Sequence, residues 1–281
     1  MDSVRRFLFE DLDIRGAVVA LGNTWHEMHA GRADPPAVNA LLGELAAATA
    51  LIGGNLKSPG RLTFQLQGHG DVSLLLMDCD EQLRLRGTAR HGLTAVPEGA
   101  VPPAPSFSSL LGDGQLILTL QTNIGDPYQS VVPLVGASLG EVFEHYLVQS
   151  EQQPARLYLT ANDDFAGGLF LQKLPGADAR DPDGWNRIEH LAATLQPAEL
   201  AEPAANLLMR LFPEENIRLF DPRPVRYHCP RDEDKVLAML KSLGRDEVEA
   251  ALNEQGEILI EDDICRHSYR YGTDILPRLF D

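Results

Sequence analysis

The sequence predicts an α+β protein in three parts. These are an N-terminal mixed α/β domain with a large β-sheet and packed helices (residues 1–175), a helical linker (176–224) and a small α+β C-terminal module (225–281). Three observations predict it. Period-two alternation, as in Leu62, Phe64 and Leu66 between Thr63, Gln65 and Gln67, marks strands with one buried face. A long alanine-rich run with helical spacing follows Pro35-Pro36. Breaker clusters at Pro175-Gly176-Ala177-Asp178 and Pro182-Asp183-Gly184 then divide this β-rich region from leucine-spaced helical segments.

In chain order, Phe7 to Leu21 has the apolar alternation of an early strand, with Arg15-Gly16 expected to interrupt it as a bulge or turn. Ala37–Leu56 is a long buried helix, ended at or just past Gly53-Gly54. Leu62–Gln67 and Val72–Met77 form a hairpin around Gly68-His69-Gly70-Asp71. Further strands are expected over 82–89, 115–121, 129–134, 156–160 and 168–174, with a proline-rich loop at 97–105 and an amphipathic helix over 138–149. In the linker, Trp185, Ile188, Leu191 and Leu195 share one helix face, and Leu207, Leu208 and Leu211 another. The last module has helices near 232–243 and 246–253 and a hairpin from 257–260 to 266–271.

Composition bounds the function. A formal net charge of −17 argues against nucleic acid as a partner, because a phosphate backbone is repelled by the mean field. Three cysteines, no apolar leader and no uninterrupted run of roughly 18 apolar residues give the expectation of a soluble cytoplasmic protein without a membrane partner. No constellation for catalysis stands out. His26 and His29 lack the H-E-x-x-H spacing, Gly68-His69-Gly70 is not followed by a phosphate-binding helix, and Cys79 at the end of a strand is expected to be buried and inert.

The chemistry-bearing stretch is the C-terminal one. C-x-C plus C-x-x-C would give a closed tetrahedral zinc centre, and each pair has lost one member: Arg231 stands two residues after Cys229, and Asp262 three before Cys265. If the four positions converge, a cation and an anion stand where two thiolates would, and Arg231 and Asp262 are expected to form an ion pair. A mixed metal site on Cys229, Cys265 and Asp262, with His228, His267 and Asp263 nearby, is the weaker alternative.

The whole chain resembles the 33 kDa chaperonin family, redox-regulated heat-shock holdases. The resemblance rests on Arg6-Phe7-Leu8-Phe9-Glu10 with Arg15-Gly16, Leu62–Gly68, Leu85–Arg90, Ser150-Glu151-Gln152 and Ala166–Gln172. It implies an ATP-independent chaperone, not an enzyme, that binds unfolding or aggregation-prone clients under oxidative or heat stress. It further implies gating by loosening of the C-terminal module and linker, and a homodimer. A constitutive, redox-independent binding module is the alternative. Zinc on four cysteines is the family norm; with two of the four replaced, no cofactor is expected here, and Cys229 and Cys265 become the redox pair, able to bond directly if the family geometry is kept, with two free thiols the expected resting state in a reducing cytosol.

Overall fold

The computed structural model describes residues 2–56, 60–93, 105–122 and 125–280. The chain divides into two compact units, residues 1–228 and 229–281. Residues 225–228, grouped above with the C-terminal module, therefore belong to the first unit. Most of the proline-rich loop expected at 97–105 lies outside the described residues.

The first unit runs β1 (Ser3–Phe9), β2 (Ile14–Leu21), α1 (Asn23–His29), α2 (Pro36–Asn55), β3 (Gly60–Gly68), β4 (Val72–Cys79) and β5 (Arg84–His91), then α3 (Phe107–Leu111), β6 (Gly114–Thr122), β7 (Tyr128–Pro133), α4 (Leu139–Glu151), β8 (Ala155–Ala161) and β9 (Ala166–Lys173). β1, β2, β9 and β8 lie side by side in one antiparallel sheet; β5, β4, β3, β6 and β7 lie in a second. α2 packs against strands of both. Its core positions include Leu42, Leu45, Ala46, Ala47, Ala48 and Leu51, all fully buried. Small residues let it sit close: a Cβ on Gly43 would lie 2.5 Å from that of Ala161, and one on Gly54 would lie 2.9 Å from Cγ1 of Val4. This is the one described helix long and apolar enough to cross a membrane, and it is mostly buried in the protein core.

The two sheets differ in how much they hide. β3 alternates between buried and less buried positions, as a strand with one covered face should. In β9, seven of eight residues are buried, and β2 is nearly as enclosed, so that sheet is covered on both sides. Arg15-Gly16 does not break the early strand. The chain turns at Glu10–Asp13, with Asp13 at φ 50°, and Gly16 lies within β2 opposite Phe7. Glycine is needed there because a Cβ would come within 2.2 Å of the Phe7 ring.

The second cover is made by residues 177–212: α5 (Ala177–Arg180), α6 (Gly184–Ala192), a 3-10 turn (Pro197–Ala201) and α7 (Ala204–Leu211). Ile188, Leu200, Leu207, Leu211 and Phe212 meet Phe7, Phe9, Ile14, Val18, Leu169 and Leu171 in a core of their own. The chain then threads back through three short strands. β10 (Ile217–Leu219) and β11 (Arg223–Pro224) pair with β1, and β12 (Arg226–Tyr227) runs parallel to β5, so residues 217–227 stitch one sheet to the other.

Asp2 helps to seat this strap. Its carboxylate accepts from the backbone N–H of Gly22 (3.1 Å) and of Thr24 (2.5 Å), where α1 begins, while Thr24 Oγ1 donates to the Val225 carbonyl (3.1 Å). Burial alone would lift the Asp2 pKa, but hydrogen bonds from Thr24 and Gly22 outweigh it and hold the carboxyl below its ordinary 3.8. A pKa lower in the folded than in the unfolded chain adds stability above the carboxylate range, lost as pH falls through the folded value. Asp2→Ala is expected to cost about 1 kcal/mol at neutral pH and progressively less as the solution is acidified below the ordinary carboxylate range, read from urea unfolding across that pH series.

The second unit has α8 (Glu233–Leu243), α9 (Arg245–Gln255), the antiparallel hairpin β13 (Ile258–Glu261) with β14 (Ser268–Tyr271), and α10 (Ile275–Phe280). Asp232 caps α8, its Oδ1 accepting from the Lys235 N–H (3.0 Å). Gly256, at φ 78°, ends α9 in the left-handed conformation that residues with a Cβ resist. Leu240, Val248, Leu252, Tyr269, Tyr271, Ile275 and Leu279 form its core.

Candidate functional site

Cys229 is the first residue of the second unit, directly after the strap, and Cys265 lies in the turn that joins β13 to β14. The two form a disulfide with Cα atoms 5.8 Å apart, in the middle of the range such bonds favour. Their surroundings are satisfied by short local bonds. His267 Nε2 lies 2.8 Å from the Cys229 carbonyl, and Asp262 Oδ1 accepts from the backbone N–H groups of Ile264 (2.8 Å) and Cys265 (2.9 Å). The turn closes between the Asp262 N–H and the His267 carbonyl (2.9 Å).

Arg231 and Asp262 do not form the expected ion pair. Arg231 Nη2 donates to the Ser268 carbonyl (2.6 Å), and its guanidinium lies over the Tyr269 ring, 4.6 Å from the centroid. Tyr269 is itself fixed, its hydroxyl accepting from the Asp232 N–H (2.9 Å). The physical reason is local. A short carboxylate at the start of a tight turn captures the N–H groups two and three residues on. A guanidinium beside an aromatic face and a free carbonyl gains both contacts without reaching across the turn.

These residues do not fit a zinc ion. The two sulfurs, when reduced, supply at most two of the four ligands, Arg231 has no lone pair to give and is held by Ser268, and Oδ1 of Asp262 is engaged by its own turn. No group of three or more His, Cys, Asp or Glu side chains among the described residues is placed to hold a metal ion. Cys79, the remaining cysteine, is buried; burial, with Asp80 and Asp78 nearby, pushes its thiol up to about 12 and makes it a poor nucleophile. His29 rests on the Trp25 ring and its Nδ1 meets the Trp25 carbonyl at 2.7 Å, a packing role. Burial lifts Glu44 on α2 to about 7.

The second feature is the face under residues 177–212. Phe9 meets Phe212 edge to face at 5.1 Å, and Phe7 meets Phe9 at 5.6 Å. Ionic clasps lie along the cover: Arg187 bonds Glu215 (2.8 Å) and Asp181 (3.0 Å), Arg210 pairs with Glu199, and Arg156 reaches Glu189 from β8. The sequence pattern located the two main helices of this cover and both cysteines. It missed the strap, because strands of two or three residues have no readable period.

An apolar sheet face under short helices, followed by a small cysteine-bearing unit, defines a protein organised around hiding apolar surface. The Hsp33 protein family matches residues 2–272. The chain is 39% identical to the 33 kDa chaperonin of Nitrosococcus oceani over 99% of its own length and 94% of the relative's, and 38% identical to that of Neisseria gonorrhoeae over 99% and 91%. The crystal structure of the 33 kDa chaperonin from Thermotoga maritima superposes with a TM-score of 0.83 at 19% identity, covering 99% of this chain and 98% of that one; it shares the fold. The chain belongs to the Hsp33 family.

Proposed function

We propose that this chaperone is an ATP-independent holdase of the cytoplasm. It binds unfolding proteins under heat or redox stress, and loosening of the C-terminal unit and of the 177–212 cover gates the binding. The observation that carries this is the construction of the cover. Its helical pieces are four, nine, five and eight residues long, well below the length at which a helix holds itself together in water. They persist by packing on Phe7, Phe9, Ile14, Val18, Leu169 and Leu171. When they leave, that apolar patch becomes available to extended apolar segments of a client. The charge of −17 opposes unlimited aggregation of the open form. We further propose that no metal takes part and that the open form dimerises.

Light scattering from a thermally unfolding client tests this directly. The protein at stoichiometric ratio, warmed or with its redox state changed, is expected to suppress aggregation without nucleotide. Suppression absent under every condition would remove the holdase reading. Equal suppression by resting protein and by the Cys229→Ser, Cys265→Ser double variant would favour a constitutive binder.

A further inference from the structure

The polarity of the cysteine pair follows from where its bond sits. Among the described residues no group of three or more His, Cys, Asp or Glu side chains is placed to hold a metal, and the bonded pair lies inside a unit with its own apolar core. Three polar groups beside the bond have partners in the bonded state: the Cys229 carbonyl in His267, the Cys265 N–H in Asp262, and Arg231 in Ser268 and Tyr269. We infer that the disulfide closes this switch: oxidation holds the C-terminal unit folded, and reduction is the step that loosens it. The inference rests on the gating proposal above only for its effect on client binding.

The physical ground is linkage. A cross-link that fits the folded unit restricts the unfolded chain and leaves the folded one unchanged, so it favours the folded side. The effect is large because the unit is small. Residues 229–281 bury seven core side chains, and chains of this length have little stability to spare. With a sequence separation of 36 between the cysteines, the chain-entropy relation gives a shift in the folding equilibrium of the order of several hundredfold. The position adds consequence: Cys229 directly follows His228, whose N–H is bonded to the Leu85 carbonyl (3.0 Å) at the end of the strap.

The chemistry balances with an external disulfide as oxidant. A thiolate of the pair attacks it, forming a mixed disulfide and releasing one small thiol. The second cysteine thiolate attacks the protein sulfur of that mixed disulfide, closing the Cys229–Cys265 bond and releasing the second small thiol. Two protons and two electrons thus pass from the protein to the reagent. Reduction by a dithiol reverses both steps. Cys79, buried and raised to about 12, stays outside the exchange.

The test uses the full chain, oxidised with oxidised glutathione or reduced with dithiothreitol, together with the Cys229→Ser, Cys265→Ser double variant. Amide hydrogen exchange is read over 229–280 and, as an internal control, over β3–β6. Reduction is expected to speed exchange in the slowest amides of the C-terminal unit by a hundredfold or more, leaving β3–β6 unchanged. Should the double variant fail to fold, the reduced natural chain carries the comparison alone. Exchange over 229–280 that is equal in the two states, or faster in the oxidised one, overturns the inference. Client binding is scored separately: a unit that loosens on reduction without a gain in holdase activity upholds this polarity and refutes the gating proposal.

Discussion

The Phe212→Ala protein is expected to suppress client aggregation without heat or a redox trigger. Phe212 is 1% exposed and closes the cover by its edge-to-face contact with Phe9, so truncation removes an aromatic anchor at the end of α7. Substitutions of this kind cost about 3 to 5 kcal/mol, and roughly each 1.4 kcal/mol is tenfold in an equilibrium constant. The opening equilibrium of the cover should therefore rise by more than about a hundredfold. The α2 core should not notice, because Phe212 belongs to the separate cluster on the other face of the β1–β2–β9–β8 sheet. Hydrophobic-dye binding and hydrogen exchange over 177–212 should both increase at room temperature, with β3–β6 still protected. If β3–β6 lose protection in step with 177–212, cover and body unfold as one unit, and selective uncovering is excluded.

Long elements were legible because periodicity and punctuation agree. Pro35-Pro36 opens α2, its alanines and glycines permit close burial, and Leu62, Phe64 and Leu66 announce a strand with one wet face. The early strand misled at Gly16. A glycine in a strand suggests an interruption, whereas the need here was steric, a close approach by Phe7 that only a partner strand reveals. At the candidate site, the spacing of Cys229 and Cys265 was informative and the chemistry of their neighbours was not. Arg231 and Asp262 suggest a charge pair on paper. In space each finds nearer partners in the backbone, because a hydrogen bond inside the turn requires less ordering than a salt bridge across it. The strap was beyond reach, since its order comes from two sheets assembled by distant residues.

That strap gives the other large effect, through Val225. The side chain is 2% exposed in the main core, and its backbone is held at both ends: its N–H donates to the Asp2 carbonyl (2.9 Å) and its carbonyl accepts from Thr24. On either side, Arg223 Nη1 donates to the Gly54 carbonyl (2.9 Å), and the Arg226 N–H to that of Leu83 (3.2 Å). Val225→Asp forfeits about 1.5 to 3 kcal/mol of apolar burial and adds an unpaired carboxylate in the same space, which brings the total to about 4 kcal/mol or more. The link between β11 and β12, each two residues long, cannot absorb that, whereas leaving the sheets restores the carboxylate to water. Residues 217–228 should then exchange near solvent rates while α2 and β3–β6 stay protected, and Val225→Ile should leave the segment in place. Retained protection over 217–228 in the aspartate variant would mean that the strap is no separable element. The uncoupling should also reach the holdase assay: a chain whose strap is already free should respond weakly to reduction of Cys229–Cys265, because the residues leading into Cys229 no longer hold the two sheets together.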